Sequence, residues 1–521
     1  MFVKTRKWKP MELILSVLLA LQYLAIVCSN LFILDQNLDC DNTKMMKHIM
    51  TMWERKTLLI PDWSYPSTLE WDCTTVFALP FYGITGDIFL SCGLSNCLLT
   101  IILLGAVFYL FKGKELLYPL VTANLLCIPY RVGMLDYYNM LFFGGAQYIV
   151  KVTIPILLIG LILAGEGLNK EKKKISKSFV GMAVIYFALL WIAGMSSGIY
   201  VSACGLVPII VGYVLYKFFK WERVPLQVGV LGGLTVVSIV GSLMVNNYGM
   251  GGAKGQGMEL LSVYHFFGNM TSCFVGILEL FGGVLPGQDT AVLSKDGIMA
   301  VGKICLAILL LICGFRAFIK CIKKQGDLRS LLLSCIFVWN LFILCVTKTR
   351  AGSDTFEYRY HLIGMIPAIC LAAETLVTGM RMLKKEQQRI LFSCVFGILV
   401  FASLVSYRDL FARGEQNTDL KEFVAYCDTM DYEYIYMFDE SNNGDICRAL
   451  GKNLYMCICD DGKVYAYDYY KQFDGELLPS TNGIVAVNEE LEDFGDEFMI
   501  LDKRLVKFDK IGKRNLYYFA E

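Results

Sequence analysis

The stretch LFILDQNLDCDNTKMMKHIMTMWERKT, residues 31–57, decides the fold because it joins an apolar segment to an acidic loop. The apolar segment ends there, and Asp35, Asp39 and Asp41 follow in close succession. The chain then becomes amphipathic. Three carboxylates at the end of a first apolar segment can cap a helix, bind a metal or take part in acid–base chemistry.

Apolar segments of similar length recur along most of the chain. The 521 residues are 56% hydrophobic and 18% charged, whereas soluble proteins carry about 25% charged residues. Each apolar run near 20 residues is long enough to cross a hydrocarbon core of ~30 Å. The sequence therefore predicts a polytopic α-helical membrane protein. Its net charge of +1 gives no support for nucleic-acid binding.

The hydropathy pattern predicts about eleven membrane spans. They cover residues 12–34, 88–111, 116–131, 147–165, 178–194, 200–217, 226–246, 298–317, 330–347, 361–380 and 389–406. The third of these is short and weak. Basic clusters fall between alternate spans, as the positive-inside rule requires. This pattern predicts a multi-pass cell-membrane protein with a cytoplasmic N-terminus and an extracytoplasmic C-terminus.

The chain divides by composition into two predicted domains. Residues 1–410 form a transmembrane domain with two long outer loops, 35–87 and 247–297. In the second loop, the apolar run 260–285 predicts a re-entrant or interfacial helix pair. Residues 411–521 are polar and contain the β-rich runs YIYMF, KVYAY, GIVAV, FMIL and LYYFA between helix-like segments. This mixture predicts a small extracytoplasmic α/β domain.

The first outer loop carries several residues with possible chemistry. Apolar residues share one helical side of segment 43–53, which predicts a helix lying in the membrane interface. Asp41 opens the sequence Asp-Asn-Thr, a good N-cap, so capping and catalysis both stay open for it. In PDWSYPSTLEWD, Trp63, Tyr65 and Trp71 suit an aromatic interface belt. The alternative is a rim that binds carbohydrate or lipid phosphate, in which Asp62 and Asp72 accept hydrogen bonds from hydroxyls.

A later loop, residues 347–361, departs from the charge rule. It is predicted outside, yet it carries three cations: Lys348, Arg350 and Arg359. An anionic partner explains them, because the planar guanidinium of arginine binds phosphate through two parallel hydrogen bonds. The alternative is ion pairing within the loop, with Asp354 and Glu357. Tyr360 follows Arg359 directly and can lie at the interface.

The order of these pieces resembles the GT-C superfamily of membrane glycosyltransferases, which use polyprenyl-phosphate-linked sugars. The resemblance rests on a first span, the motif LDCD, an amphipathic helix, DWSY, the later spans, YRYHLIGMIPA and a C-terminal extracytoplasmic domain. It covers most of residues 1–406. It resembles in particular the bacterial GT-C-like proteins of the glycosyltransferase family 39 type.

The resemblance implies roles for particular residues. A carboxylate of the first outer loop acts as general base or coordinates a metal in GT-C enzymes, which points to Asp41 first and Asp39 second. The implied substrate-binding residues are Asp62, Trp63, Tyr65, Arg350, Arg359 and Tyr360. Many GT-C members have a second acidic motif in a later outer loop. Only Asp136 is a candidate for it here, so no metal or other cofactor is predicted.

The expected function is inverting transfer of a sugar from a polyprenyl-phosphate donor to a glycan, lipid or protein acceptor, in cell-envelope glycan synthesis or modification. One alternative is a transporter or flippase for lipid-linked saccharides, which predicts ionisable residues near the membrane midplane and internal repeats. Another is a catalytically inactive protein that keeps the GT-C fold.

Overall fold

The computed structural model describes residues 9–61, 63, 65, 68–170, 174–249, 259–284, 291–349, 356–459, 461–465, 476–477 and 482–520. Its helices are α1 (Pro10–Phe32), α2 (Cys40–Arg55), α3 (Thr74–Thr85), α4 (Ile88–Leu110), α5 (Leu117–Leu126), α6 (Tyr137–Phe142), α7 (Ile149–Lys170), α8 (Lys177–Ser197), α9 (Val207–Lys220), α10 (Leu226–Gly249), α11 (Val263–Leu280), α12 (Lys295–Ile322), α13 (Leu328–Val346), α14 (Leu362–Arg381), α15 (Lys385–Phe411), α16 (Thr418–Cys427) and α17 (Ser441–Leu450). Its strands are β1 (Glu259–Leu260), β2 (Thr347–Lys348), β3 (Tyr434–Phe438), β4 (Leu454–Ile458), β5 (Lys463–Tyr465), β6 (Glu476–Leu477), β7 (Gly483–Asn488), β8 (Glu497–Ile500), β9 (Lys503–Ile511) and β10 (Arg514–Ala520).

Ten helical segments within the described residues are long and apolar enough to cross a membrane. They coincide with ten of the predicted spans, so the prediction of a polytopic helical membrane protein is confirmed. The remaining predicted span, 116–131, contains α5, which has ten residues and is only ~15 Å long. It is instead a short buried helix that packs against α14.

The chain separates into two compact units, each built from several segments. The helical unit comprises Met1–Cys28, Ser67–Cys73 and Asn96–Ala412. The mixed unit comprises Ser29–Pro66, Thr74–Ser95 and Arg413–Glu521. Part of the first loop therefore belongs to the same compact unit as the C-terminal region. A division based on composition alone assigns that loop to the transmembrane domain.

Helix α14 is largely enclosed within the helical unit. It packs against α5, α12 and α13, and its first twelve residues, 362–373, are all buried. Gly364 permits one of these contacts, because a Cβ atom there would lie 2.6 Å from Oδ1 of Asn340 on α13. Small residues allow such close approach of helices in membranes.

The apolar run in the second long loop forms the single helix α11 rather than the expected helix pair, within the residues that the structure describes. Asn269 attaches this helix to the end of α13, since its Nδ2 donates to the carbonyls of Leu344 at 2.7 Å and Cys345 at 3.0 Å. One asparagine thereby satisfies carbonyls that the C-terminus of α13 would otherwise leave without intrahelical partners.

The C-terminal part of the mixed unit is an eight-stranded sheet in the order β6-β5-β4-β3-β7-β10-β9-β8. Strand β3 is parallel to β4 and β7, and the other neighbours are antiparallel. One face carries an apolar core that includes Tyr436, Met456, Val485 and Tyr517. Helix α17 connects β3 to β4 and packs on both strands. The predicted α/β character of this region is confirmed, whereas the sequence pattern missed β4, β6 and β9.

Candidate functional site

Helix α2 begins at the acidic motif, and its three aspartates have different surroundings. Asp39 is the N-cap, because its Oδ1 accepts from the backbone N–H of Asn42 at 2.9 Å. Its Oδ2 accepts from the side-chain amide of the same residue at 2.7 Å. Asp41 lies within the first helical turn. The cap is therefore two residues earlier than the Asp-Asn-Thr pattern indicates, so Asp41 is not the N-cap.

The amphipathic side of α2 is covered by protein rather than laid against lipid. Met45, Met46, Ile49 and Met52 are each at most 2% exposed. The helix packs against α3 and α17, both within the mixed unit. The expectation of a helix with its apolar face in the membrane interface is therefore wrong, since that face forms part of a protein core. The same 3.6-residue periodicity describes both situations.

The aromatic residues after α2 form a buried cluster with His48. The ring of Trp63 stacks on that of His48, with centroids 4.7 Å apart. Trp63 has no exposed surface, and Tyr65 is 7% exposed. The hydroxyl of Tyr65 accepts from the backbone N–H of Ile60 at 3.1 Å. The structure thus places Trp63 and Tyr65 where they hold the loop to α2, not at an open rim. Asp62 lies outside the described residues.

The segment before α2 is attached to the C-terminal part of the mixed unit by polar contacts. Lys421 on α16 pairs with Asp35 at 3.3 Å and with Glu415 at 2.7 Å. Asn417 donates to the carbonyl of Leu38 at 3.3 Å. A backbone bond at 2.8 Å joins the N–H of Gln416 to the carbonyl of residue 36. The acidic motif is therefore held in place from outside its own helix.

Burial and nearby charges shift the pKa values of two side chains in α2. Burial, together with the carboxylates of Asp41 and Asp39, raises the pKa of the Cys40 thiol to about 12. Burial also lowers the pKa of Lys47. Glu54 opposes this change, whereas Arg448 on α17 adds to it. Cys40 is thus a neutral thiol at physiological pH, and thiolate chemistry at this position is disfavoured.

Arg359 lies in the helical unit, in the short 3₁₀ turn Tyr358–His361 that precedes α14. Its Nε is 3.4 Å from a carboxylate oxygen of Glu357. The alternative of ion pairing within the loop is therefore confirmed for Glu357. The guanidinium keeps some exposure, with 22% of the side chain accessible. Arg350 and Asp354 lie outside the described residues.

Tyr360 belongs to a group of three tyrosines contributed by different segments. Its ring lies 5.4 Å from that of Tyr200 and 6.2 Å from that of Tyr148, both in edge-to-face geometry. Burial is the main reason that the pKa of Tyr148 lies well above its ordinary value. The phenol of Tyr148 therefore stays protonated and can donate a hydrogen bond at physiological pH.

Asp136, the candidate for a second acidic motif, is enclosed by partners in the helical unit. Its Oδ1 accepts from the hydroxyl of Tyr358 at 2.7 Å and lies 3.1 Å from Nε of Arg131. Its exposure is 6%. This arrangement holds Tyr358, which directly precedes Arg359 in the sequence. It also leaves Oδ1 of Asp136 in contact with two donors.

A second buried ion pair in the helical unit joins Asp72 to Lys151 on α7. The two charged groups are 3.0 Å apart. Ser196 and Ser197, at the end of α8, donate to the two oxygens of Asp72 at 2.7 Å and 2.6 Å. Sequence reasoning missed Lys151, although an ionisable residue inside a predicted span is itself a signal.

The carboxylates, histidines and cysteines do not converge on a metal site among the described residues. No group of three or more such side chains could hold a metal ion there. The prediction that the chain needs no metal is untested by this observation and stays a prediction.

Comparison with solved structures identifies the class of fold. ArnT from Cupriavidus metallidurans in the apo state matches with a TM-score of 0.56 and 11% identity over 97% of each chain. An oligosaccharyltransferase from Archaeoglobus fulgidus, tethered to an acceptor peptide, matches with a TM-score of 0.48 and 10% identity, over 84% of this chain and 63% of that chain. No family model and no curated protein matches. The likeness to ArnT shows that the two chains share a fold, and this agrees with the fold that the resemblance to the GT-C superfamily implied.

Proposed function

We propose that the chain is a membrane glycosyltransferase that uses a polyprenyl-phosphate-linked sugar as donor. It transfers the sugar to a glycan, lipid or protein acceptor at the outer face of the cytoplasmic membrane, in synthesis or modification of cell-envelope glycans. The supporting observation is the acidic motif at the start of α2, which follows the first span in a chain with the fold of ArnT along 97% of its length.

The proposed chemistry is a single displacement that inverts the anomeric centre. An acceptor hydroxyl oxygen forms a bond to the anomeric carbon, and the bond from that carbon to the phosphate oxygen breaks. The electron pair of the broken bond leaves with the polyprenyl phosphate. Asp41 accepts the hydroxyl proton as general base. Arg359 stabilises the negative charge that develops on the departing phosphate.

We prefer Asp41 over Asp39 as the base because Asp39 serves as the N-cap of α2, whereas Asp41 lies in the first turn of that helix. Both oxygens of Asp39 accept hydrogen bonds from Asn42, and a carboxylate stabilised by such bonds is a weaker base. Asp39 and the cluster of His48, Trp63 and Tyr65 therefore act by fixing the shape of the loop. Tyr360, Asp62 and Arg350 remain proposed contacts to the donor.

The direct test is sugar transfer by the purified full-length chain in detergent. Polyprenyl-phosphate hexose, hexosamine and pentose donors are supplied in turn, with nucleotide sugars as the control donors. We expect release of polyprenyl phosphate from one class of lipid-linked donor and none from nucleotide sugars. Arg359→Lys should keep more of this activity than Arg359→Met. Transfer from nucleotide sugars alone, or equal rates for both variants and the wild type, would contradict the proposal.

A further inference from the structure

Lys303 is a cation in the apolar helix α12, and it has no ion-pair partner in the part of the chain that the structure describes. It lies on α12, within a segment long and apolar enough to span a membrane, and its side chain is half-buried. Among the residues that the structure describes, it makes no hydrogen bond or ion pair. Ionisable residues in such segments are expensive to retain and commonly serve a function.

The position of Lys303 along α12 can be compared with the thickness of a membrane. Lys320 follows 17 positions later, which corresponds to about 26 Å along an α-helix. Arg316 is the one charged residue between them in the sequence. This separation is close to the ~30 Å thickness of a bilayer hydrocarbon core. The two lysines are therefore far enough apart along α12 to lie at opposite boundaries of a hydrocarbon core, next to the phosphates of membrane lipids.

The backbone next to a second cation, Arg131, lies close to Lys303. A Cβ atom built on Gly282 would be 3.0 Å from Nζ of Lys303 and 2.8 Å from the carbonyl oxygen of Tyr130. The ammonium therefore packs beside Gly282 and the backbone that leads directly into Arg131. Gly282 has a φ of 72°, so the close approach occurs at a position that strongly favours glycine.

Arg131 is only partly occupied by its own partners. Its Nε faces Asp136 at 3.1 Å and its Nη1 donates to the carbonyl of Glu279 at 3.1 Å. Its Nη2 makes no hydrogen bond to the described residues, and 31% of the side chain is exposed. One guanidinium nitrogen and one ammonium are thus available on neighbouring segments.

Asp136 and Asp409 are the carboxylates that interact electrostatically with Lys303, and each of them has an ion-pair partner of its own. Asp136 is paired with Arg131, and Asp409 lies 3.1 Å from Arg408. A lysine that simply extends to water at the membrane boundary requires only its own flexible stem. That explanation accounts for neither the second cation nor the glycine at the contact.

We propose that Lys303 and Arg131 bind the phosphate group of a membrane lipid. An oxyanion between the two cations would receive charge-assisted hydrogen bonds, which are about twice as strong as neutral ones. Val301, Ile308 and Ile312 are exposed on α12 and offer an apolar surface for the lipid chain. Both polyprenyl phosphate and a phospholipid carry the required group. This binding site does not depend on sugar transfer.

The test measures retention of lipid by the full-length chain in phosphatidylcholine nanodiscs, read by native mass spectrometry. The discs are doped with polyprenyl phosphate, with phosphatidylglycerol or with uncharged polyprenol. Lys303→Met removes the charge, and Lys303→Arg preserves it. Lys295→Met is the matched control, because Lys295 is an exposed lysine at the start of the same helix. Thermal unfolding of each variant checks that it is folded.

We expect Lys303→Met to weaken retention of the phosphate lipid about tenfold, with Lys303→Arg and Lys295→Met close to wild type. Loss confined to polyprenyl phosphate would assign the site to that lipid. Loss confined to phosphatidylglycerol would assign it to a phospholipid. Equal retention by Lys303→Met and wild type for both lipids would overturn the proposal, as would retention of polyprenol with the same dependence on Lys303.

Discussion

At the scale of single residues, the carboxylates of the first loop are distinguished by their partners. Asp35 pairs with Lys421, and Asp39 caps α2. Asp72 is enclosed by two serine hydroxyls and Lys151. These three aspartates have structural partners that explain them. Asp41 lies in the first turn of α2 rather than at its cap, and we propose it as the catalytic base because the GT-C resemblance points to it first.

The buried ion pair between Asp72 and Lys151 leads to a prediction about the stability of the helical unit. Asp72→Asn leaves the ammonium of Lys151 without its opposing charge, and 10% of that side chain is exposed. Breaking one side of a buried ion pair costs about 3 kcal/mol or more. We expect a clearly lower midpoint in thermal unfolding of the purified chain. The double variant Asp72→Asn/Lys151→Met should recover part of the loss, and an unchanged midpoint in the single variant would contradict this account.

At the scale of secondary-structure elements, the central relationship is between α2 and the C-terminal part of the mixed unit. Helix α17 packs along α2, and α16 holds the preceding segment through Lys421 and Asn417. Since the proposed base lies at the start of α2, these contacts fix the position of its backbone. The C-terminal region thus has a physical role in the account even though it supplies no proposed catalytic group.

This relationship predicts the effect of releasing the segment before α2. Lys421→Met removes two partly exposed ion pairs, with Asp35 and Glu415, so global stability should change by only ~1 kcal/mol. Amide exchange of residues 35–42 should nevertheless rise, and kcat should fall while the KM for the donor stays constant. Lys510→Met is the matched control, because Lys510 forms an exposed pair with Glu489 in the same unit. Unchanged exchange at residues 35–42 would argue against the role of this contact.

At the scale of the whole molecule, the repeating apolar segments were sufficient to predict the membrane fold. Spans are read from length and hydropathy, and both are properties of the sequence alone. The burial of α2 and Trp63 was not predictable, because periodicity records an apolar face without recording what covers it. Arg131 and Lys303 were missed for a related reason: their proximity depends on Gly282 bringing distant segments together.

The buried charges also bear on the transporter alternative. Within the described residues, Lys151 pairs with Asp72, and Glu166 pairs with Lys217 at 2.8 Å. Glu374 lies 3.6 Å from Lys114. Ion pathways place ionisable groups on discontinuous helices near the membrane midplane. Ion pairs near helix ends instead fasten neighbouring helices to one another, which favours a rigid scaffold for surface chemistry.

The most direct measurement compares the initial rate of sugar transfer by Asp41→Asn and Asp39→Asn with that of the wild type. Asparagine caps a helix about as well as aspartate, so Asp39→Asn should keep both its fold and most of its activity. Asp41→Asn removes the proposed base, and we expect its rate to fall about a hundredfold or more without loss of thermal stability. A wild-type rate in Asp41→Asn, or equal losses in the two variants, would contradict the account.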